Sequence, residues 1–140
     1  MNLVRPPQKK SLQALKKDLD KVFNEFIRLR DQKNGMFECV SCGQTKPVSQ
    51  MHAGHYYSAG HHSAVRWDEL NVHGQCVHCN TFLHGNLIGY QIGIEKRIGN
   101  DRLKELIIRK NNRSKMMSFE VSMLILQYKE KVKVLKSRNK

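Results

Sequence analysis

The sequence predicts an α+β fold, with a small zinc-stabilised core flanked by amphipathic helices. Three observations predict it. All four cysteines lie in two CxxC pairs, Cys39-Val-Ser-Cys42 and Cys76-Val-His-Cys79, with 33 residues between them. Apolar residues near both ends of the chain recur at three- and four-residue spacing, the period of a helix face. The stretch between the cysteine pairs instead holds short extended runs broken by turn residues such as Gly60.

The cysteine pairs carry the core assignment. Each CxxC places two thiolates on one tight turn, and two such knuckles complete a tetrahedral four-thiolate zinc site from Cys39, Cys42, Cys76 and Cys79. Gly43 suits the turn after the first pair. In 140 residues one domain with a modest core is expected, and a metal staple compensates for a modest core. The insert between the knuckles is longer than a simple zinc ribbon needs, so it is read as carrying other work. All seven histidines fall between His52 and His84, in or just beside that insert.

The elements follow in order. Residues 1–10 are polar, contain Pro6-Pro7 and read as a disordered basic lead, with a single domain over 11–140. Ser11 is an N-cap for an N-terminal helix over 11–30, whose Leu12, Leu15, Leu19, Val22, Phe23, Phe26 and Ile27 share one face. Lys16, Lys17, Lys21 and Arg28 form its polar face. Asn34-Gly35 marks a turn. The zinc core is expected over 37–98. Within it Val48–Tyr57 reads as a strand, Ser58–His62 as a loop and Ala64–Trp67 as a short extended piece. A helix is expected to start at Asn80, be interrupted near Gly85 and restart at Asn86 or Leu87. Gly99-Asn100 stops it. C-terminal helices fill 100–137, with a basic turn over 111–115 and Ser118 capping the last one. Val121, Leu124, Ile125, Tyr128, Val132 and Leu135 line that helix's apolar face.

The net charge of +13 is unevenly spread. Residues 1–30 carry 8 basic and 3 acidic side chains, residues 31–85 carry 3 and 4, and residues 86–140 carry 14 and 5. Basic arms around a nearly neutral centre suit a phosphate backbone gripped beside a site that accepts its own cation. Lys129, Lys131, Lys133 and Lys136 on the last helix, and Arg66 in the insert, are the candidate phosphate contacts. No run of about 18 apolar residues exists to span a membrane. The N-terminus has no apolar signal region, so a cytoplasmic location is expected.

The centre resembles the HNH, or ββα-metal, nucleases, including endonuclease VII-like members. His55 follows an extended run, Asn71 stands five residues before a CxxC, and Asn80 directly follows the last cysteine. Residues 20 to 135 also resemble the phage NinG/Rap recombination family. That likeness is carried by Cys39-Val-Ser-Cys42-Gly43, Ala53-Gly54-His55-Tyr56-Tyr57-Ser58, Asn71-Val72-His73-Gly74-Gln75-Cys76, Cys79-Asn80 and Gly85-Asn86-Leu87-Ile88-Gly89-Tyr90.

The resemblance implies a ββα-metal core and metal-dependent endonuclease action on branched DNA, such as Holliday junctions and D-loops, in phage recombination. It gives His55 the role of general base, which suits an imidazole titrating near neutrality. It gives Asn71 the role of pinning the loop. Asn80 and His84, four residues apart on a helix, would hold a catalytic Mg2+ or Mn2+. Many relatives in that superfamily place Asp or His just before the base, where this chain has Gly54. His52, His61, His73 and Asp68 are alternative ligands. Tyr56, Tyr57 and Trp67 suit either base stacking or the core of a small zinc domain. Two incisions per junction imply a homodimer, and a phage recombinase is an expected partner. The alternative is a non-catalytic zinc module that binds DNA or recruits a recombinase.

Overall fold

A computed structural model describes residues 9–112 and 115–138. Residues 1–8 of the basic lead expected over 1–10, and the centre of the 111–115 turn, lie outside the described residues. The N-terminal helix, α1, spans Leu12–Arg30 and begins as expected at Ser11, whose hydroxyl accepts the Ala14 amide at 3.1 Å. Its buried face of Leu19, Val22, Phe23, Phe26 and Ile27 packs against Val121, Ile125, Tyr128 and Val132 of the last helix. Phe23 and Tyr128 meet edge to face with ring centres 4.9 Å apart. The apolar faces of the two terminal helices are therefore buried against each other within one chain.

Three short antiparallel strands follow: β1 (Gln32–Lys33), β2 (Met36–Glu38) and β3 (Thr45–Pro47). The turn joining β1 to β2 is Asn34-Gly35, with φ of 54° and 75°, the left-handed pair that a two-residue hairpin demands. A second, two-stranded sheet pairs β4 (Met51–His55) antiparallel with β5 (Val72–Cys76). In its register His55 stands opposite Val72, and Met51 opposite Cys76. One end of this sheet thus carries His55 and the other abuts the second knuckle. The chain between the strands contains one 3-10 turn, Ser63–Val65, where an extended piece was expected over Ala64–Trp67. Val65 is buried against Tyr90, Ile94 and Leu106. Seating it there draws the chain in as a turn.

After the second knuckle the chain makes a single π-helical turn, His78–Phe82, where an α-helical start was expected. The chain then leaves this turn through His84 and Gly85, both at positive φ. Helix α2 then spans Leu87–Lys110, broken by non-helical backbone at Gly99 where the sequence placed a stop. Its N-terminal half lies directly on the first knuckle. A Cβ on Gly93 would overlap the Val40 carbonyl, and one on Gly89 would overlap the Ser41 carbonyl. Only glycine permits helix and knuckle to approach this closely. Helix α3 (Ser118–Arg138) completes the described chain. No described helix is long and apolar enough to cross a membrane.

Candidate metal centre and active-site cleft

The four cysteine sulfurs converge. All lie within 4.8 Å of one another, and Cys42 Sγ is 3.9 Å from Cys76 Sγ. A tetrahedral zinc with bonds of about 2.3 Å separates its sulfurs by about 3.8 Å, so the residues fit the ion. Cys39, Cys76 and Cys79 are buried while Cys42 is exposed. The Cys76 amide donates to Cys39 Sγ at 3.3 Å, and the Asn86 side chain donates to Cys79 Sγ at 3.4 Å. Asn86 also caps α2 through the Gly89 amide, tying the helix start to one of the four clustered thiols.

The thiols differ in acidity. Burial opposes ionisation of Cys39, but amide donors from Cys76, Cys42 and Ser41 outweigh it and bring its pKa down to about 7. Burial, with the nearby Cys39 charge added to it, pushes Cys79 up to about 12. One thiolate is readily formed, and the Cys42 and Cys79 thiols resist joining it. A divalent cation removes that resistance by neutralising the set.

A separate open cleft of about 690 Å³ brings together His55, Tyr56, Tyr57, His61, Asn80 and His84. His55 Nε2 lies 2.8 Å from the Arg66 carbonyl. A carbonyl only accepts, so Nε2 carries the proton and the ring's lone pair sits on Nδ1. Burial lowers the pKa of His55 below its usual 6.5, with the Arg66 carbonyl opposing that trend. The ring is therefore neutral at physiological pH.

Asn71 is fully buried and lies behind the cleft wall, outside its lining. Its Oδ1 accepts the Tyr57 amide at 2.8 Å, while its Nδ2 donates to the carbonyls of Tyr57 and Val65 at 2.9 and 3.0 Å. Every polar atom of this side chain holds the segment that returns from His55 to β5. Asn80 Nδ2 donates to His52 Nδ1 at 2.9 Å, leaving the Asn80 carboxamide oxygen free of described partners. The other ligand candidates separate clearly. His61 lines the cleft. His73 is buried elsewhere, on the Leu70 carbonyl at 2.9 Å. Asp68 is paired with Arg109 at 3.1 Å.

Gly54 is explained by Gln75, a residue that motif reading passed over. Gln75 is buried, and its Nε2 donates to Ser41 Oγ at 2.8 Å and to the Gly85 carbonyl at 2.6 Å. So held, its Oε1 occupies the space that a Cβ on Gly54 would need. An acidic ligand at position 54 does not fit. The buried Tyr90 hydroxyl, also unread from sequence, donates to the Gly54 carbonyl at 2.6 Å. Gly54→Ala is expected to destabilise the fold by about 1–3 kcal/mol through overpacking, read as a lower urea midpoint. Adding Gln75→Ala should recover part of that loss. An unchanged midpoint in Gly54→Ala would show that Gln75 moves aside freely.

The basic candidates divide. Arg66 directs its guanidinium onto Asp20, at 3.0 and 2.5 Å, and not into open solvent. Lys131 pairs with Glu69 at 2.9 Å and Lys136 with Glu25 at 2.8 Å. Lys129 and Lys133 are exposed and make no ion pair among the described residues. Trp67 packs against the α1/α3 core, whereas Tyr56 and Tyr57 stand in the cleft wall.

The family follows from comparison with known proteins. Residues 3–138 match the family model described as "NinG: Bacteriophage Lambda NinG protein". The chain belongs to the NinG family. It is 36% identical over 121 residues to "Protein ninG" of Escherichia phage 933W, covering 86% of this chain and 58% of that protein. It is 35% identical to the proteins of the same name from Escherichia phage lambda and Salmonella phage P22, covering 86% of this chain and 57% of each. The chain thus spans somewhat more than half the length of these NinG relatives. No solved structure matches it.

Proposed function

We propose that this NinG-family chain is a metal-dependent endonuclease for branched DNA, with an HNH-like centre held together by zinc. The observation that carries the reading is His55: a neutral imidazole at a strand end, facing a cleft, with one nitrogen fixed as donor and the other left as acceptor. Nδ1 would take the proton from the attacking water. Asn71 would hold the loop that shapes the cleft beside the base.

The donor set tests the expected cation. Apart from the cysteines, no three His, Cys, Asp or Glu side chains among the described residues are close enough to hold an ion. The cleft instead offers the Asn80 carboxamide oxygen and the His84 ring, with His52 bonded to Asn80 from outside the lining. A sparse set of this kind suits an ion that keeps several waters and completes its shell with substrate phosphate, such as Mg2+. An imidazole contribution from His52 or His84 would favour Mn2+ over Mg2+. Bound there, the cation would neutralise charge growing on the phosphate and the leaving oxygen.

The basic flanks support the nucleic-acid part of the reading, with exposed Lys129 and Lys133 the freest candidates for backbone contact. Two incisions per junction call for two copies of the chain. The inner faces of α1 and α3 are taken up within one copy, so the dimer would use other surfaces. A nick made by this chemistry should carry a 5′-phosphate and a 3′-hydroxyl. DNA ligase should therefore reseal nicked junction arms without prior kinase treatment; products that ligase cannot seal would point to different chemistry. The sparse donor set also favours a second reading, a zinc module that binds DNA without cutting it. Salt-sensitive junction binding with no strand scission in Mg2+ or Mn2+ would select that one.

A further inference from the structure

We propose that Asp20, on α1, is a positioning residue for His55 and acts through the peptide that joins Arg66 to Trp67. The proposal rests on the reading of His55 as the base. It does not depend on which residues hold the cation.

The contacts converge on one peptide plane. Asp20 Oδ1 accepts from Arg66 Nε at 3.0 Å and from Trp67 Nε1 at 2.9 Å, and Oδ2 accepts from Arg66 Nη2 at 2.5 Å. One carboxylate therefore grips two consecutive side chains. The peptide unit between them contributes the Arg66 carbonyl, and that carbonyl accepts His55 Nε2–H at 2.8 Å. Turning this peptide would strain the Arg66 bonds, the Trp67 bond or both. While it stays fixed, the proton stays on Nε2 and Nδ1 keeps its lone pair. The grip has a rigid base, because neighbouring Leu19, Val22 and Phe23 are buried in the main core.

A purely structural role is a poor account of these contacts. The Arg66 and Asp20 side chains are 28% and 34% exposed, and ion pairs this accessible contribute little to stability. Substitutions at Asp20 are thus expected to fold. The arrangement also accounts for Arg66: its charge is directed at the carboxylate, and its backbone serves the cleft.

The test uses the full, zinc-loaded chain. Long-range 15N–1H spectra of the imidazoles report each ring's tautomer, with the His55 signals assigned by their loss in His55→Ala. The native chain should show His55 protonated on Nε2 alone. Asp20→Ala should show mixed tautomers or exchange broadening at His55 only. On a labelled four-way junction the same variant should lose about 10- to 100-fold in kcat, less than the roughly 10²–10⁴-fold lost with the general base itself, because the base is misaligned and not removed. KM should stay within about twofold. Arg66→Gln should match it, and the double variant should be no worse than either single, as for residues acting in one chain of contacts. Should Asp20→Ala fail to fold, Asp20→Asn keeps the shape, removes the charge and is read the same way.

An unchanged His55 spectrum together with unchanged kcat in Asp20→Ala would overturn the proposal. So would a loss confined to KM, which would assign Asp20 to substrate binding. If His55→Ala cuts as fast as the native chain, the reading of His55 as base falls. The spectra would still decide whether Asp20 holds the ring.

Discussion

Replacing Cys76 with serine is expected to unfold the centre of the protein. Cys76 ends β5, its sulfur lies 3.9 Å from that of Cys42, and its amide donates to Cys39 Sγ. It therefore belongs to the four-cysteine cluster proposed to hold zinc, to the two-stranded sheet and to the hydrogen bonding of the first knuckle together. Zinc binding to four thiolates supplies roughly 10–16 kcal/mol of apparent free energy in small zinc domains. Ordinary domains are stable by about 5–15 kcal/mol, so losing the ion removes as much as the whole margin. Among the described residues, the apolar cluster around the cysteines adds Phe37, Met51 and half-buried Val48. Cys76→Ser should abolish stoichiometric zinc by metal analysis and erase the cooperative thermal transition of the centre. Chelation of the native chain should do the same. The α1/α3 pair shares Val72, Ala53 and Trp67 with the centre but is built mainly from the two helices' own apolar contacts, so it should keep part of its helical circular dichroism. A native melting curve for Cys76→Ser would remove the four-cysteine zinc assignment.

His55→Ala is expected to lower junction cutting by about 10²–10⁴-fold, the range a positioned general base contributes. DNA affinity should change little, because the exposed lysines of α3 are untouched. The pH dependence has a definite sign. Only neutral imidazole accepts a proton, so the rate falls as pH drops through the His55 pKa. Burial holds that pKa below 6.5. The acid limb should therefore lie below pH 6.5, with a plateau at neutral pH, and it should vanish in His55→Ala. An acid limb centred above 6.5 would assign proton transfer to another group.

The parts of this molecule that were legible in its sequence are those with local chemistry. The knuckles are legible because thiolate pairs must sit on tight turns. The helices α1 and α3 are legible because their buried residues repeat at helical spacing, and α1 carries a hydroxyl cap at Ser11. Asn34-Gly35 is legible because the turn needs left-handed backbone. What stayed hidden depends on pairing at a distance. Arg66 looked like a free cation because basic residues are scarce around it, yet its partner Asp20 stands 46 residues earlier. Gly54 stands where a metal ligand is common in the resembled nucleases, and the reason is Gln75 of the neighbouring strand, which fills the space a side chain there would need. The helix expected from Asn80 is a π turn. The start of α2 is fixed further on, where Asn86 must reach both Cys79 and the Gly89 amide. Asn80 and His84 still face one cleft, although no α-helix joins them.

The most direct test of the central claim is strand scission of a labelled four-way junction by the native, zinc-loaded chain. Matched linear duplex would run beside it, each in Mg2+, in Mn2+ and in EDTA. The account predicts cuts in the junction, few in the duplex and none in EDTA. Tight junction binding with intact strands in both metals would contradict it, and would mean that Asn80 and its neighbouring histidines do not assemble a working cation site.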